Sequence, residues 1–122
     1  MVALLKVDEL SLTFGGIHAL DKISLAVETG TITAIIGPNG AGKTSLFNII
    51  SGFYKPKHGR IFLDEKDITK SSPPKRASLG LARTFQNIAL FRGMTVLDNI
   101  KLGNHIHLKS GLIASGLYWG RA

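Results

Sequence analysis

Apolar and polar positions partly alternate along residues 4–14 and again along residues 17–27, and Gly15-Gly16 separates the two runs. Period-two alternation broken by a glycine pair predicts two antiparallel strands of a hairpin or meander. Glu28-Thr29-Gly30 predicts a tight turn, and the β-branched, mostly apolar run Thr31-Ile32-Thr33-Ala34-Ile35-Ile36 predicts a buried strand. The period then changes. Leu46, Phe47, Ile49 and Ile50 recur at helical spacing, and Gly52 stands where that helix ends. Residues 55–59 read as a loop and residues 60–64 as a short strand. Ser71-Ser72-Pro73-Pro74 reads as a turn opening a short helix, with proline tolerated in its first turn. Residues 81–86 read as extended. Thr95, with Asp98 three positions on, predicts the capped start of another helix. Residues 109–122 have weak periodicity and three glycines, and nothing in them closes a domain. No internal repeat or low-complexity segment is present.

Between the third predicted strand and the first helix lies Gly37-Pro38-Asn39-Gly40-Ala41-Gly42-Lys43-Thr44, the pattern G-x-x-x-x-G-K-[ST] of a phosphate-binding loop. Strand, glycine-rich turn and helix form the setting that this motif requires. Gly37, Gly40 and Gly42 can take positive φ and carry no side chain, so the backbone can wrap closely round a phosphate. Successive N–H groups then form an anion nest at the positive end of the helix dipole. Lys43 is placed to reach β- and γ-phosphates, and the Thr44 hydroxyl can ligate Mg²⁺. The implied ligand is a nucleoside triphosphate with Mg²⁺.

Composition narrows the setting. The chain has 122 residues, 44% hydrophobic and 19% charged, which are globular values for one domain. It has no cysteine, which excludes disulfides, thiolate zinc sites and a cysteine nucleophile. Apolar stretches fall far short of the roughly 18 residues of a membrane span, and the N-terminus lacks the features of a signal peptide. The expected location is the cytoplasm. Charge is uneven: residues 1–54 carry three basic and four acidic side chains, residues 55–122 twelve and four. The basic residues are scattered singly, which reads as a solvated face or partner contact more than as a nucleic-acid footprint. Ile61-Phe62-Leu63-Asp64-Glu65 has the look of an apolar strand ending in catalytic acids. Arg60 interrupts it and Lys66-Asp67-Ile68 follows, so it reads as a surface hairpin with Asp64 in the turn. His18, His58, His105 and His107 match no catalytic motif.

Residues 9–16 (Glu-Leu-Ser-Leu-Thr-Phe-Gly-Gly), residues 36–45 and Ala82-Arg83-Thr84-Phe85-Gln86-Asn87 together resemble the opening half of an ABC-type ATPase subunit. Gly52-Phe53-Tyr54-Lys55-Pro56 and residues 90–100 carry a narrower similarity, to the subgroup serving branched-chain amino acid importers. The resemblance implies an α/β fold: a partial P-loop NTPase of the ABC ATPase type with an N-terminal antiparallel β-subdomain. It implies a β-subdomain and P-loop over about residues 1–86 and the start of a helical subdomain over about 87–122. Phe14 falls at the position of the aromatic that stacks on adenine, and Ser45 at the position that touches the α-phosphate. Gln86 matches the Q-loop glutamine, which meets Mg²⁺ or the attacking water and links the site to membrane subunits. The implied nucleotide contacts are thus Phe14, Gly37, Pro38, Asn39, Gly40, Ala41, Gly42, Lys43, Thr44, Ser45 and Gln86, with Thr44 and Gln86 on Mg²⁺ and ATP as the nucleotide.

Departures from the pattern are equally informative. Glu65 stands where relatives carry Gly in a hairpin turn. No Leu-Ser-Gly-Gly-type signature, no later strand ending in Asp-Glu and no switch histidine occurs, so the chain reads as a partial product without turnover of its own. The resemblance implies coupling of ATP binding and hydrolysis to import of branched-chain or other hydrophobic amino acids. The implied partners are integral membrane permease subunits and a second ATP-binding subunit, in a homo- or heterodimer on the inner face of the plasma membrane; no nucleic acid is expected. Two alternatives stand beside this reading: a soluble ABC-type ATPase acting on nucleic acid or ribosomes, and a fragment without function.

Overall fold

The computed structural model describes residues 3–85 and 90–104, and the chain divides into two compact units, residues 1–83 and 84–122. In the first unit, β1 (Ala3–Phe14), β2 (Ile17–Glu28), β3 (His58–Leu63) and β4 (Lys66–Asp67) form one antiparallel sheet in the order β2-β1-β3-β4. Helices α1 (Lys43–Ile50) and α2 (Pro73–Ser78) complete the unit. Val7, Leu10, Leu12, Leu20 and Ile61 from the sheet are buried with Leu46, Ile49 and Ile50 of α1 and with Ile68. That side-chain cluster is the core. The β3–β4 hairpin turns at Asp64 and Glu65 with φ 49° and 63°. Both central residues of the turn are therefore left-handed, the geometry that suits a two-residue hairpin, and Glu65 adopts it without a glycine.

The alternation in β1 and β2 changes parity once in each strand, between Val7 and Leu10 and between Leu20 and Ile23. Each change is a backbone irregularity. Glu9 and Lys22 both have φ 45°, and the ladder shifts register beside Glu9. The freed amides are satisfied reciprocally: the Glu9 N–H donates to Ser24 Oγ at 2.8 Å, and the Lys22 N–H to Ser11 Oγ at 3.0 Å. Two serines thus offset two distortions. The bulge also fixes a residue on β3. A Cβ on Gly59 would stand 2.6 Å from both the Asp8 and the Glu9 carbonyl oxygens, so only glycine fits opposite the bulge.

The C-terminus of α1 is closed by two devices. The N–H of Gly52, at φ 87°, donates to the Ile49 carbonyl at 3.0 Å, and that of Phe53 to the Asn48 carbonyl at 2.8 Å. This is a Schellman motif. The second device is Arg76, whose side chain is 1% exposed. Its Nη1 donates to the carbonyls of Ile49 and Ile50 at 2.6 and 2.7 Å, Nη2 to Thr69 at 2.9 Å and Nε to Ser71 at 3.0 Å. Burial pushes its pKa below the ordinary arginine value, yet four carbonyls and the negative end of the α1 dipole support the charge. Gly52 makes room: a Cβ there would lie 3.1 Å from Arg76 Nε.

One sequence expectation fails. Residues 31–36 form no strand; Ile32 and Ile36 are fully exposed. The composition suits a strand, but a strand needs a neighbour, and none lies beside this segment among the described residues. The other elements follow their predicted places, with β3 starting at His58 rather than Arg60.

In the second unit, α3 (Val96–Gly103) begins as predicted at Thr95, whose Oγ1 accepts from the Asp98 N–H at 3.2 Å and donates to Asp98 Oδ2 at 2.7 Å. Asn99 ties the preceding turn to the helix: its Oδ1 accepts from the Phe91 N–H at 3.0 Å, and its Nδ2 donates to the Thr95 carbonyl at 3.0 Å. Leu90, Phe91, Met94, Val96, Leu97 and Ile100 remain exposed. No helix among the described residues is long and apolar enough to cross a membrane.

Removing the Arg76 guanidinium strands several buried carbonyls. Arg76→Ala is expected to lower unfolding stability by about 2–4 kcal/mol. Arg76→Lys should recover only part of that, because an ammonium cannot span the same four acceptors. Urea unfolding followed by circular dichroism measures both; a midpoint unchanged in Arg76→Ala contradicts the assignment.

Candidate functional site

Helix α1 starts from a left-handed residue, Gly42 (φ 87°, ψ 6°), with no side chain capping its first turn. The first amides of a helix lack partners within the helix. Here the N–H groups of Gly40, Gly42, Lys43, Thr44 and Ser45 donate no hydrogen bond among the described residues. The loop before them is drawn into a curl, with the Ala41 N–H donating to the Pro38 carbonyl at 3.2 Å. Residues 37–41 and Thr44 are exposed, and Gly42, Lys43 and Ser45 are half-buried, so the loop stands at the surface with its donors partly covered. Unpaired amides at a helix N-terminus, on a loop with alternating left-handed glycines, make a concavity suited to an oxyanion.

Lys43 lies over the same loop. Its Nζ donates to the carbonyls of Gly37 and Pro38, both at 2.6 Å. An ammonium has three N–H donors, so one remains for a ligand while the other two brace the loop. Thr44, beside it on the first turn, is exposed, and its hydroxyl makes no hydrogen bond among the described residues. Ser45 is half-buried next to it. No cluster of three or more His, Cys, Asp or Glu able to hold a metal occurs among the described residues. The Thr44 hydroxyl is an oxygen donor of the kind that suits Mg²⁺.

The glycines of the loop are not equivalent. Gly40 and Gly42 have φ 85° and 87°, as expected. Gly37 is not left-handed; it uses the lack of a side chain instead, since a Cβ there would meet the Ala41 Cβ at 3.3 Å. Gly42 carries a second constraint that periodicity could not reveal. A Cβ on it would stand 2.4 Å from the Ala19 carbonyl oxygen and 2.8 Å from Leu20 Cδ2. The loop is thus packed backbone to backbone on the start of β2.

That contact brings the aromatic candidate into range. Phe14 ends β1 and pairs with Ile17, two residues before Ala19. Strand rise and spacing put its Cα roughly 10 Å from the loop. The Phe14 ring is 46% exposed and contacts Tyr54, with centroids 5.1 Å apart and planes at 76°. Phe14 and residues 37–45 therefore share one region of the first unit. Gln86, His105 and His107 lie outside the described residues. Sequence reasoning missed Tyr54 as a contributor to this region and Arg76 as the anchor of the far end of α1; the only signals were an aromatic after the helix-ending glycine and an arginine in a short helix.

Two alanine substitutions separate conformational from steric demand. Gly40→Ala meets nothing within 4 Å and should cost only the left-handed penalty, about 1 kcal/mol. Gly42→Ala adds a clash with β2 and should cost about 2–4 kcal/mol and displace the loop. Thermal unfolding of the two variants checks the order; equal losses contradict it.

Residues 20–117 match the family model described as ABC transporter. The chain is 46% identical over 114 residues to the high-affinity branched-chain amino acid transport ATP-binding protein LivG of Salmonella typhimurium, covering 93% of this chain and 44% of that one. It is 43% identical over 115 residues to the corresponding protein BraF of Pseudomonas aeruginosa, covering 94% and 45%. The crystal structure of the ADP conformation of MJ1267, an ATP-binding cassette of an ABC transporter, superposes with TM-score 0.78 at 37% identity, over 99% of this chain and 47% of that one. The chain thus spans less than half the length of the relatives it matches. Over that span its loop, its sheet and its sequence agree with theirs, and the chain belongs to the ABC transporter family.

Proposed function

We propose that the protein is an ATP-binding subunit of an importer for branched-chain or other hydrophobic amino acids, with this chain supplying the phosphate-binding part of the site. The observation that carries the proposal is the set of unpaired N–H donors at Gly40 and Gly42–Ser45, flanked by the Lys43 ammonium and the Thr44 hydroxyl. The names of LivG and BraF, both branched-chain amino acid transport ATP-binding proteins, support the cargo class.

In this reading the loop amides take the β-phosphate, and Ser45 the α-phosphate. Lys43 turns its free N–H toward the β- and γ-phosphates. Mg²⁺, when bound, screens the phosphate charge during in-line attack by water. Thr44 would be its ligand from the described residues, with Gln86 as a second, and Phe14 is the platform for adenine. The sequence has no later strand ending in Asp-Glu, and in this reading the general base for the water comes from groups outside this chain. The exposed apolar residues at 90–100 suit contact with permease subunits, and a second ATP-binding subunit completes the proposed assembly at the inner face of the plasma membrane.

Isothermal titration of the 122-residue chain with Mg·ATP should give weak binding, and phosphate release should show no steady-state turnover. Lys43→Ala should weaken binding about 10- to 100-fold, the worth of one charge-assisted contact. Unchanged affinity in that variant removes the reading of the loop, and measurable turnover removes the division of labour.

A further inference from the structure

Tyr54 has no role in the phosphate site, yet the fold fixes it with some care. The Lys57 N–H donates to the Ser11 carbonyl at 2.8 Å, and His58 pairs with Ser11, so the chain leading into β3 runs antiparallel to the end of β1. Following that direction three residues back brings Tyr54 beside Phe14. The Tyr54 N–H also donates to the Asn48 carbonyl at 3.3 Å, sharing with Phe53 an acceptor in the last turn of α1. Its backbone is therefore pinned to the helix that begins at the phosphate loop. Its ring meets Phe14 edge to face.

The geometry of that pair has a functional consequence. An edge-to-face contact leaves at least one face of each ring uncovered, and Phe14 is still 46% exposed. The contact lies at the tip of a hairpin, next to the left-handed pair Gly15-Gly16 (φ 50° and 88°), and restricts the positions open to the Phe14 ring. We propose that Tyr54 is a positioning residue for nucleotide binding, holding the Phe14 ring oriented so that its free face receives the base. The proposal rests on Phe14 being the adenine platform. Tyr54 acts through Phe14 and through its ring rather than its hydroxyl.

The test compares two ligands on the 122-residue chain: Mg·ATP and inorganic tripolyphosphate with Mg²⁺, which lacks a base. Tyr54→Ala is expected to weaken ATP roughly three- to tenfold and to leave tripolyphosphate unchanged. Tyr54→Phe should keep the original ratio of the two affinities. Tripolyphosphate binding also reports whether the loop is folded; if Tyr54→Ala loses both ligands, Tyr54→Leu, which fills the space without an aromatic edge, decides. Equal losses for both ligands in Tyr54→Leu, or an unaltered ratio in Tyr54→Ala, overturn the proposal. Phe14→Ala separates its failure from that of the underlying reading. If Phe14→Ala weakens ATP alone and Tyr54→Ala does not, only the role of Tyr54 falls. If Phe14→Ala changes nothing, or the unsubstituted chain binds neither ligand, the platform or the phosphate site falls and the inference with it.

Discussion

A short helix offering its N-terminus to a ligand must be anchored at its other end, and Arg76 provides that anchor. Helix α1 is only eight residues long, too short to persist by its own hydrogen bonds. Its buried side chains fix one face, but its last carbonyls point into the protein, where water cannot satisfy them. Arg76 reaches the final two, and the Schellman turn at Gly52 shares Ile49 and takes Asn48 before it. The same guanidinium binds the carbonyls of Thr69 and Ser71, so one side chain joins the helix to the segment that follows the β3–β4 hairpin. A lone buried charge is costly. It is retained here because four carbonyls converge on it, of which only that of Ile49 also meets a backbone N–H among the described residues.

The opposite end of α1 is set by contact rather than by hydrogen bonding. Gly42 lies so close to Ala19 that no side chain can intervene. The position of β2 therefore determines the position of the phosphate loop. Strand β2 is in turn placed by the double irregularity at Glu9 and Lys22, which keeps both Val7 and Leu10 on the core side despite their spacing. Strain at two residues is offset by two serine hydroxyls and by the absence of a side chain at Gly59. The sheet thus acts as a mould for the loop, and its distortions are part of the mould.

How far this was legible beforehand depends on the range of the interaction. Local chemistry read well: the Gly15-Gly16 turn, the Thr95 cap, the prolines opening α2 and the loop at residues 37–44 each announce themselves within a few residues. The reading of Asp64 as a turn residue also follows from its neighbours, and the φ of 49° bears out its place in the turn. What could not be read were contacts between distant positions. Arg76 with Ile49, Gly42 with Ala19 and Tyr54 with Phe14 are separated by 20 residues or more, and no periodicity encodes them. The parity changes in β1 and β2 were visible, but their meaning required the serines opposite. At Gly37 both conformation and space were open explanations, and only the packing against Ala41 decides for space.

The stretch Thr31-Ile32-Thr33-Ala34-Ile35-Ile36 carries no charge, no proline and no glycine, and five of its six residues are exposed alongside backbone groups that make no ladder. Such a hexamer is a template for cross-chain pairing, and identical copies stack on one another in register. Chains in which this segment stays uncovered therefore present unpaired backbone groups beside apolar side chains, the pairing surface of an unprotected strand edge. The composition that makes a good inner strand is, without a neighbour, an adhesive.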